Sequence, residues 1–93
     1  MIVSFACRET EKVFSGRFSK KLPHDIQARA RSKLMELDTA ASPEDLRFPP
    51  GNHLEQLSGD MDDRMSIRVN QQWRIVFRWE DGNSHDIKIE DYH

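Results

Sequence analysis

Cysteine is almost absent. Cys7 is the only one in 93 residues, which excludes an intrachain disulfide framework and fits a reducing compartment. On its own it reads as a small, inert side chain. Long apolar runs are missing as well: no stretch approaches the roughly 20 residues a membrane-spanning helix needs. The opening "MIVSFACRET" has neither the basic start nor the apolar core of a signal peptide. A cytoplasmic protein without membrane contact is the expectation. There is no basic excess, since 14 Lys and Arg face 16 Asp and Glu, for a net charge of −2 and a pI near 6.1. That excludes a protein that coats nucleic acid through bulk charge and leaves only a local patch for such contact. Glycine is scarce at four residues, and none of them builds a phosphate-cradling loop. His24, His53 and His85 lack metal-ligand spacing with their acidic neighbours, and Ser58-Gly59 lacks the nucleophile-elbow pattern. Neither a metal nor a cofactor is expected.

What is present suits one domain spanning residues 1–93. Apolar residues make up 37% of the chain and charged residues 32%. The charge would signal disorder only if aromatic and β-branched residues were scarce, and they are not. Ile2 to Ala6 read as a short strand, and Arg8 to Phe18 as a short helix stopped near Gly16. A clearer helix spans His24 to Leu37. Ile26, Ala30, Leu34 and Leu37 recur at helical spacing, while Gln27, Arg29, Arg31 and Lys33 fall elsewhere on the wheel. Pro23 and Asp25 suit its first turn. "SPEDL" predicts another helical turn, capped by Ser42, with Asp45 three residues on. "FPPGN" breaks the helical half.

Beyond it the period changes to two. "RMSIRV" places Met65, Ile67 and Val69 on one face and Arg64, Ser66 and Arg68 on the other. "WRIVFRW" repeats this, with Trp73, Ile75, Phe77 and Trp79 opposite Arg74, Val76 and Arg78. Asn70 to Gln72 form the turn between them, and Asp81-Gly82 a hairpin turn into a last strand, Ser84 to Ile89. The fold class is therefore α+β, with an N-terminal short strand and two helices packed on a C-terminal antiparallel sheet.

Two constellations bear chemistry. Arg64, Arg68, Arg74 and Arg78 share one sheet face, and guanidinium groups grip phosphates bidentately. The same pattern fits an ordinary solvated face balanced by Asp62, Asp63, Glu80 and Asp81. The second is the ending "EDYH". It brings Asp91, Tyr92 and His93 beside the sheet, with His93 suited to proton transfer near neutral pH. Glu90 falls out as strand edge. A frayed polar tail fits this composition too.

"PPGNHLEQLSGD", then "SIRVNQQWRIVFRW", then the closing "EDYH" resemble the HigB-type toxins of bacterial toxin–antitoxin modules, in the RelE superfamily. The resemblance covers nearly the whole chain. It implies a microbial-RNase-like fold and ribosome-dependent cleavage of mRNA in the ribosomal A site. It also implies a helix-turn-helix, HigA-like antitoxin, with operator DNA contacted only through that partner. The family's functional ending matches Asp91, Tyr92 and His93, and the arginine of its "WRI" motif matches Arg74. Relatives carry a histidine where this chain has Glu55, and a lysine where it has Ser58. Glu55 becomes the candidate general base. Arg64, Arg68, Arg78, Gln72, Ser58 and His53 become the RNA-contacting set, His53 sharing a face with Glu55 if that segment is a strand. A competing expectation is a superfamily member acting by binding, as a gyrase poison or a co-repressor with its antitoxin.

Overall fold

The computed structural model describes residues 1–57, 59 and 63–91. The helical half contains α1 (Arg8–Phe14) and α2 (His24–Thr39), followed by two short 3₁₀ turns, Pro43–Arg47 and Pro50–Asn52. Four strands follow: β1 (Glu55–Gln56), β2 (Arg64–Arg68), β3 (Trp73–Glu80) and β4 (Asn83–Asp91). They pair antiparallel in the order β1-β2-β3-β4. The alternation of the sequence is realised directly. Ile67, Ile75, Phe77, Ile87 and Ile89 meet Val13, Ile26, Ala30, Leu34 and Leu37 from the helices in one buried cluster. Removing those side chains from water is the main driving force, at about 1.5–3 kcal/mol for each large one. Asp81 and Gly82 both take positive φ, 53° and 79°, the backbone that matches a two-residue hairpin to strand twist.

Three elements depart from expectation. The N-terminal segment is no continuous strand; Ile2 and Phe5 make isolated parallel bridges to Ser84 and Ile87 on the outer edge of β4. Between these bridges Asp86 takes φ 54° and its amide donates to the Ser4 hydroxyl at 2.9 Å instead of to a backbone carbonyl, which interrupts the ladder. The turn after Ser42 is 3₁₀ and not α-helical, with the Asp45 carboxylate accepting from the Ala41 amide at 2.9 Å. Gln27 is buried on the core side of α2. Its Oε1 accepts from the Ser19 amide at 3.0 Å, and its Nε2 donates to the Ser19 and Leu22 carbonyls at 2.7 and 3.0 Å. A glutamine whose amide is fully satisfied is buried without penalty, which hydrophobic periodicity alone does not reveal.

Ser19 also ties this loop to α1, its hydroxyl donating to Glu9 Oε1 at 2.6 Å. That bond, helped by Lys12 and Lys21 and opposed by desolvation, holds the Glu9 carboxyl below the ordinary glutamate range. A carboxyl lowered by folding contributes stability above its unfolded value of about 4.3 and loses it as pH falls through the folded value. Ser19→Ala is therefore expected to lower Tm at about pH 6, with a gap to the wild type that narrows toward about pH 3. A gap independent of pH in thermal melts would contradict the linkage.

Asn52 fixes the loop that leads into the sheet. It is fully buried, donates to the Leu46 and Phe48 carbonyls at 3.1 and 3.4 Å, and accepts from Lys33 Nζ. Asn52→Ala leaves those carbonyls without partners and is expected to cost about 1–3 kcal/mol. A urea midpoint equal to that of the wild type would refute this anchoring.

Candidate active site

Directly opposed residues of adjacent strands share a face of the sheet, so the register orders the side chains on the face away from the helices. Glu55, Ser66, Val76 and Lys88 form one row, and Arg68, Arg74 and Glu90 the next. Arg64 and Arg78 are opposed further along β2 and β3, with His85 on the same line.

The face is not uniformly solvated. Arg74 is only 4% exposed, and a buried guanidinium requires partners. Its Nε donates to the Ser66 hydroxyl at 2.8 Å, and its Nη2 to the Ser66 carbonyl at 3.2 Å and to the carbonyl of His53. The Glu55 carboxylate, half exposed, stands 3.8 Å from Nη2. A charged planar group is thus held in a single orientation beside a carboxylate open to solvent.

The other arginines differ in state. Arg78 Nη1 reaches Glu80 at 2.9 Å and its Nε reaches Asp86 at 3.2 Å; these bonds, Glu80 first, raise its pKa further. Arg64 lies 3.8 Å from Asp63. Of the carboxylates expected to balance this face, Asp81 sits in the hairpin turn instead and Asp62 lies outside the described residues. His53 does not share a strand face with Glu55. It caps the Pro50–Asn52 turn in the left-handed region, at φ 44°, before β1 begins, and it reaches Arg74 through its carbonyl. Gln72 spends its amide on Asp91, donating to Oδ2 at 3.0 Å. Asp91 pairs with Trp73 and therefore lies on the face opposite Arg74, whereas Glu90 pairs with Arg74 itself. β4 runs through Glu90, so that residue stands in a paired strand facing the site and is not its edge. The roles given to Ser58, Tyr92 and His93 lie outside the described residues.

The profile of the HigB-like toxins, described as RelE-like toxin of type II toxin-antitoxin system HigB, matches residues 4–93. The chain belongs to this family. It is similar to Toxin HigB-1 of Vibrio cholerae serotype O1, 46% identical over 61 residues, or 66% of this chain and 64% of that protein. It is also similar to Endoribonuclease HigB of Proteus vulgaris, 30% identical over 93 residues that span 100% of both chains. A Haemophilus influenzae protein without an assigned role is 31% identical over 75 residues, 81% of this chain and 74% of that protein. The two helices on a four-stranded antiparallel sheet are the α+β arrangement consistent with RelE-like toxins.

In this HigB-family chain, sequence reasoning missed three residues around Arg74. Ser66 is buried and receives Nε; a serine alternating with two arginines in "RMSIR" was the available signal. Asn52 holds the loop that delivers the His53 carbonyl, and nothing local in the sequence marks it. Glu90 faces Arg74 across the β3–β4 ladder and lies 3.4 Å from Lys88. Chemically, the row offers one fixed cation for a phosphoryl oxygen and carboxylates at hand for a proton.

Among the described residues no helix is long and apolar enough to cross a membrane.

Proposed function

We propose that the chain is the RNA-cleaving toxin of a type II toxin–antitoxin pair, acting on mRNA in the ribosomal A site. The buried, oriented Arg74 guanidinium beside the open carboxylate of Glu55 carries this reading, supported by the family and by the name of the Proteus relative. Such a pair suits attack by the substrate's own 2′-hydroxyl, the group that separates RNA from DNA. Glu55 takes the hydroxyl proton while the 2′-oxygen bonds to phosphorus. The bond from phosphorus to the 5′-oxygen breaks, and His93 delivers a proton to that leaving oxygen. The products are a 2′,3′-cyclic phosphate and a 5′-hydroxyl. Arg74 neutralises the charge that builds on the phosphorane oxygens. Asp91, held by Gln72, supports the end of β4, and Tyr92 stacks on or hydrogen-bonds a base. Of the arginines on this face, Arg68 bears on the strand's phosphates, because Arg64 and Arg78 are paired with carboxylates. This route needs no metal.

A chain with net charge −2 has little long-range pull on free RNA, so the ribosome supplies the capture. An HTH antitoxin is the proposed partner, with operator DNA reached through it and the cytoplasm as the place of action.

Primer-extension mapping of transcripts after brief expression tests the reading. Discrete cuts within translated frames, retained with purified protein and programmed ribosomes, support it. Intact transcripts with stalled replication would assign a gyrase poison instead. Glu55→Gln is expected to slow cleavage about 10²-fold, the low end for a general base, because water has access to the exposed site. Cleavage at the wild-type rate would remove Glu55 from the mechanism.

A further inference from the structure

Among the described residues β1 covers β2 only at Met65 and Ser66, which leaves the Arg68 end of β2 as an open edge there. There the strand and α2 enclose a groove of about 550 Å³ whose lining includes Arg29, Ser32, Lys33, Glu36, Gly51 and Arg68. Its charge is lopsided: three cations share it with one carboxylate, and that carboxylate is 3.5 Å from Lys33. Arg29 is oriented along the groove by its bond to the Val69 carbonyl at 3.5 Å. Arg68 makes no hydrogen bond or ion pair with any described residue, whereas Arg64, Arg78 and Lys88 on the same face each have a carboxylate within 4 Å. Arg68 is also directly opposite Arg74 across the β2–β3 ladder, which sets their Cα atoms about 4.5–5.5 Å apart. Like charges directly opposed on one sheet face are unfavourable, and Arg68, with no carboxylate beside it among the described residues, favours an anion at this end of the ladder.

We propose that this groove binds a backbone phosphate of the substrate RNA strand, next to the one held at Arg74. Arg68 bridges the two phosphates, Arg29 closes on the second from α2, and the Ser32 hydroxyl supplies a neutral donor. The strand's path is thereby fixed: it leaves Arg74 over the open edge of β2 toward α2, away from the carboxylate-paired Arg64 and Arg78. The inference rests on the endonuclease reading and adds a substrate-positioning subsite to it.

The test uses the full chain and a short fluorescent single-stranded RNA, 2′-O-methylated throughout so that it cannot be cut by the proposed route. Two variants probe the groove. Arg29→Ala removes a cation. Gly51→Glu adds a carboxylate where a new Cβ meets nothing within 4 Å, so the fold is undisturbed. In fluorescence anisotropy at about 50 mM salt, each variant is expected to raise Kd about 3–10-fold, and Arg29→Ala to reduce the slope of log affinity against log salt by about 0.7. Wild-type Kd and slope in both variants would overturn the subsite, and a wild type that holds no free RNA moves the same comparison to mRNA-loaded ribosomes, where equal binding by wild type and variants would overturn it. Weakened binding by the variants, with a wild type that leaves native mRNA uncut on ribosomes, would retain the phosphate site and refute the endonuclease. A second arm compares ribosomes with and without methylated mRNA. A loss confined to mRNA-loaded ribosomes supports the substrate strand; an equal loss on empty ribosomes places the phosphate in ribosomal RNA and overturns the assignment.

Discussion

Arg74→Ala is expected to reduce RNA cleavage by about 10³-fold, the upper range for losing one preorganised charge-stabilising donor. The loss is large because Arg74 is both built into the fold and aimed at the chemistry. Ser66 and the His53 carbonyl hold the guanidinium from two directions, so it pays no reorganisation when the phosphorane forms. The same bonds make the variant less stable, by about 1–3 kcal/mol for partners left unsatisfied. Arg74→Lys separates the two effects. An ammonium keeps the charge but cannot span the Ser66 hydroxyl and the His53 carbonyl with a planar fork. Its urea midpoint is expected to lie between those of wild type and Arg74→Ala, while cleavage stays depressed about 10²-fold. Single-turnover cleavage on programmed ribosomes, with folding checked by circular dichroism, reads both. A folded Arg74→Ala protein that cuts at the normal rate would remove Arg74 from the site.

Deletion of His93 is the second large effect. A general acid for the leaving 5′-oxygen is typically worth about 10²–10⁴-fold, and an alkoxide leaving group places the loss toward the upper end. Growth arrest on induction is expected to disappear while the protein still folds, because among the described residues the buried cluster ends at Ile89. His93→Gln, which keeps hydrogen bonding without a titrating proton, is expected to be as inactive as the deletion. Growth arrest by a normally folded deletion variant would overturn the proton-transfer role. Asp91→Asn provides a contrast. Asp91 pairs with Trp73 on the face opposite Arg74 and accepts from Gln72, so its effect should be smaller than that of either residue above.

Much of the architecture was legible because it is encoded over short distances. Alternation along "RMSIRV" and "WRIVFRW" sets β2 and β3, since a pleated strand sends successive side chains to opposite faces. Asp81-Gly82 marks the hairpin through its tolerance of positive φ. The spacing of Ile26, Ala30, Leu34 and Leu37 sets α2, which then runs two residues past Leu37, to Thr39. Where the reading slipped, a side chain had found a distant polar partner. Gln27 looks solvent-facing on the wheel, yet the Ser19 and Leu22 backbone draws it inward. Asp45 shapes a tighter turn than the α-helical one its spacing suggests.

The candidate site divides in the same way. The sequence alone determines that four arginines occupy one sheet face, that Glu55 follows the proline-glycine loop, and that the last strand leads into Asp91, Tyr92 and His93. Alternation and chain order are covalent facts, so no packing is needed to know them. Only the tertiary structure decides which arginine is buried and held, which are paired off by carboxylates, and which has no carboxylate beside it among the described residues and lines a groove. Arg74 depends on a carbonyl 21 residues away and a hydroxyl 8 residues away; Arg68 depends on β1 being too short to cover its end of β2. A guanidinium's state is set by what desolvates and accepts from it, and those groups are brought together only when the loop at Asn52 folds back onto the sheet.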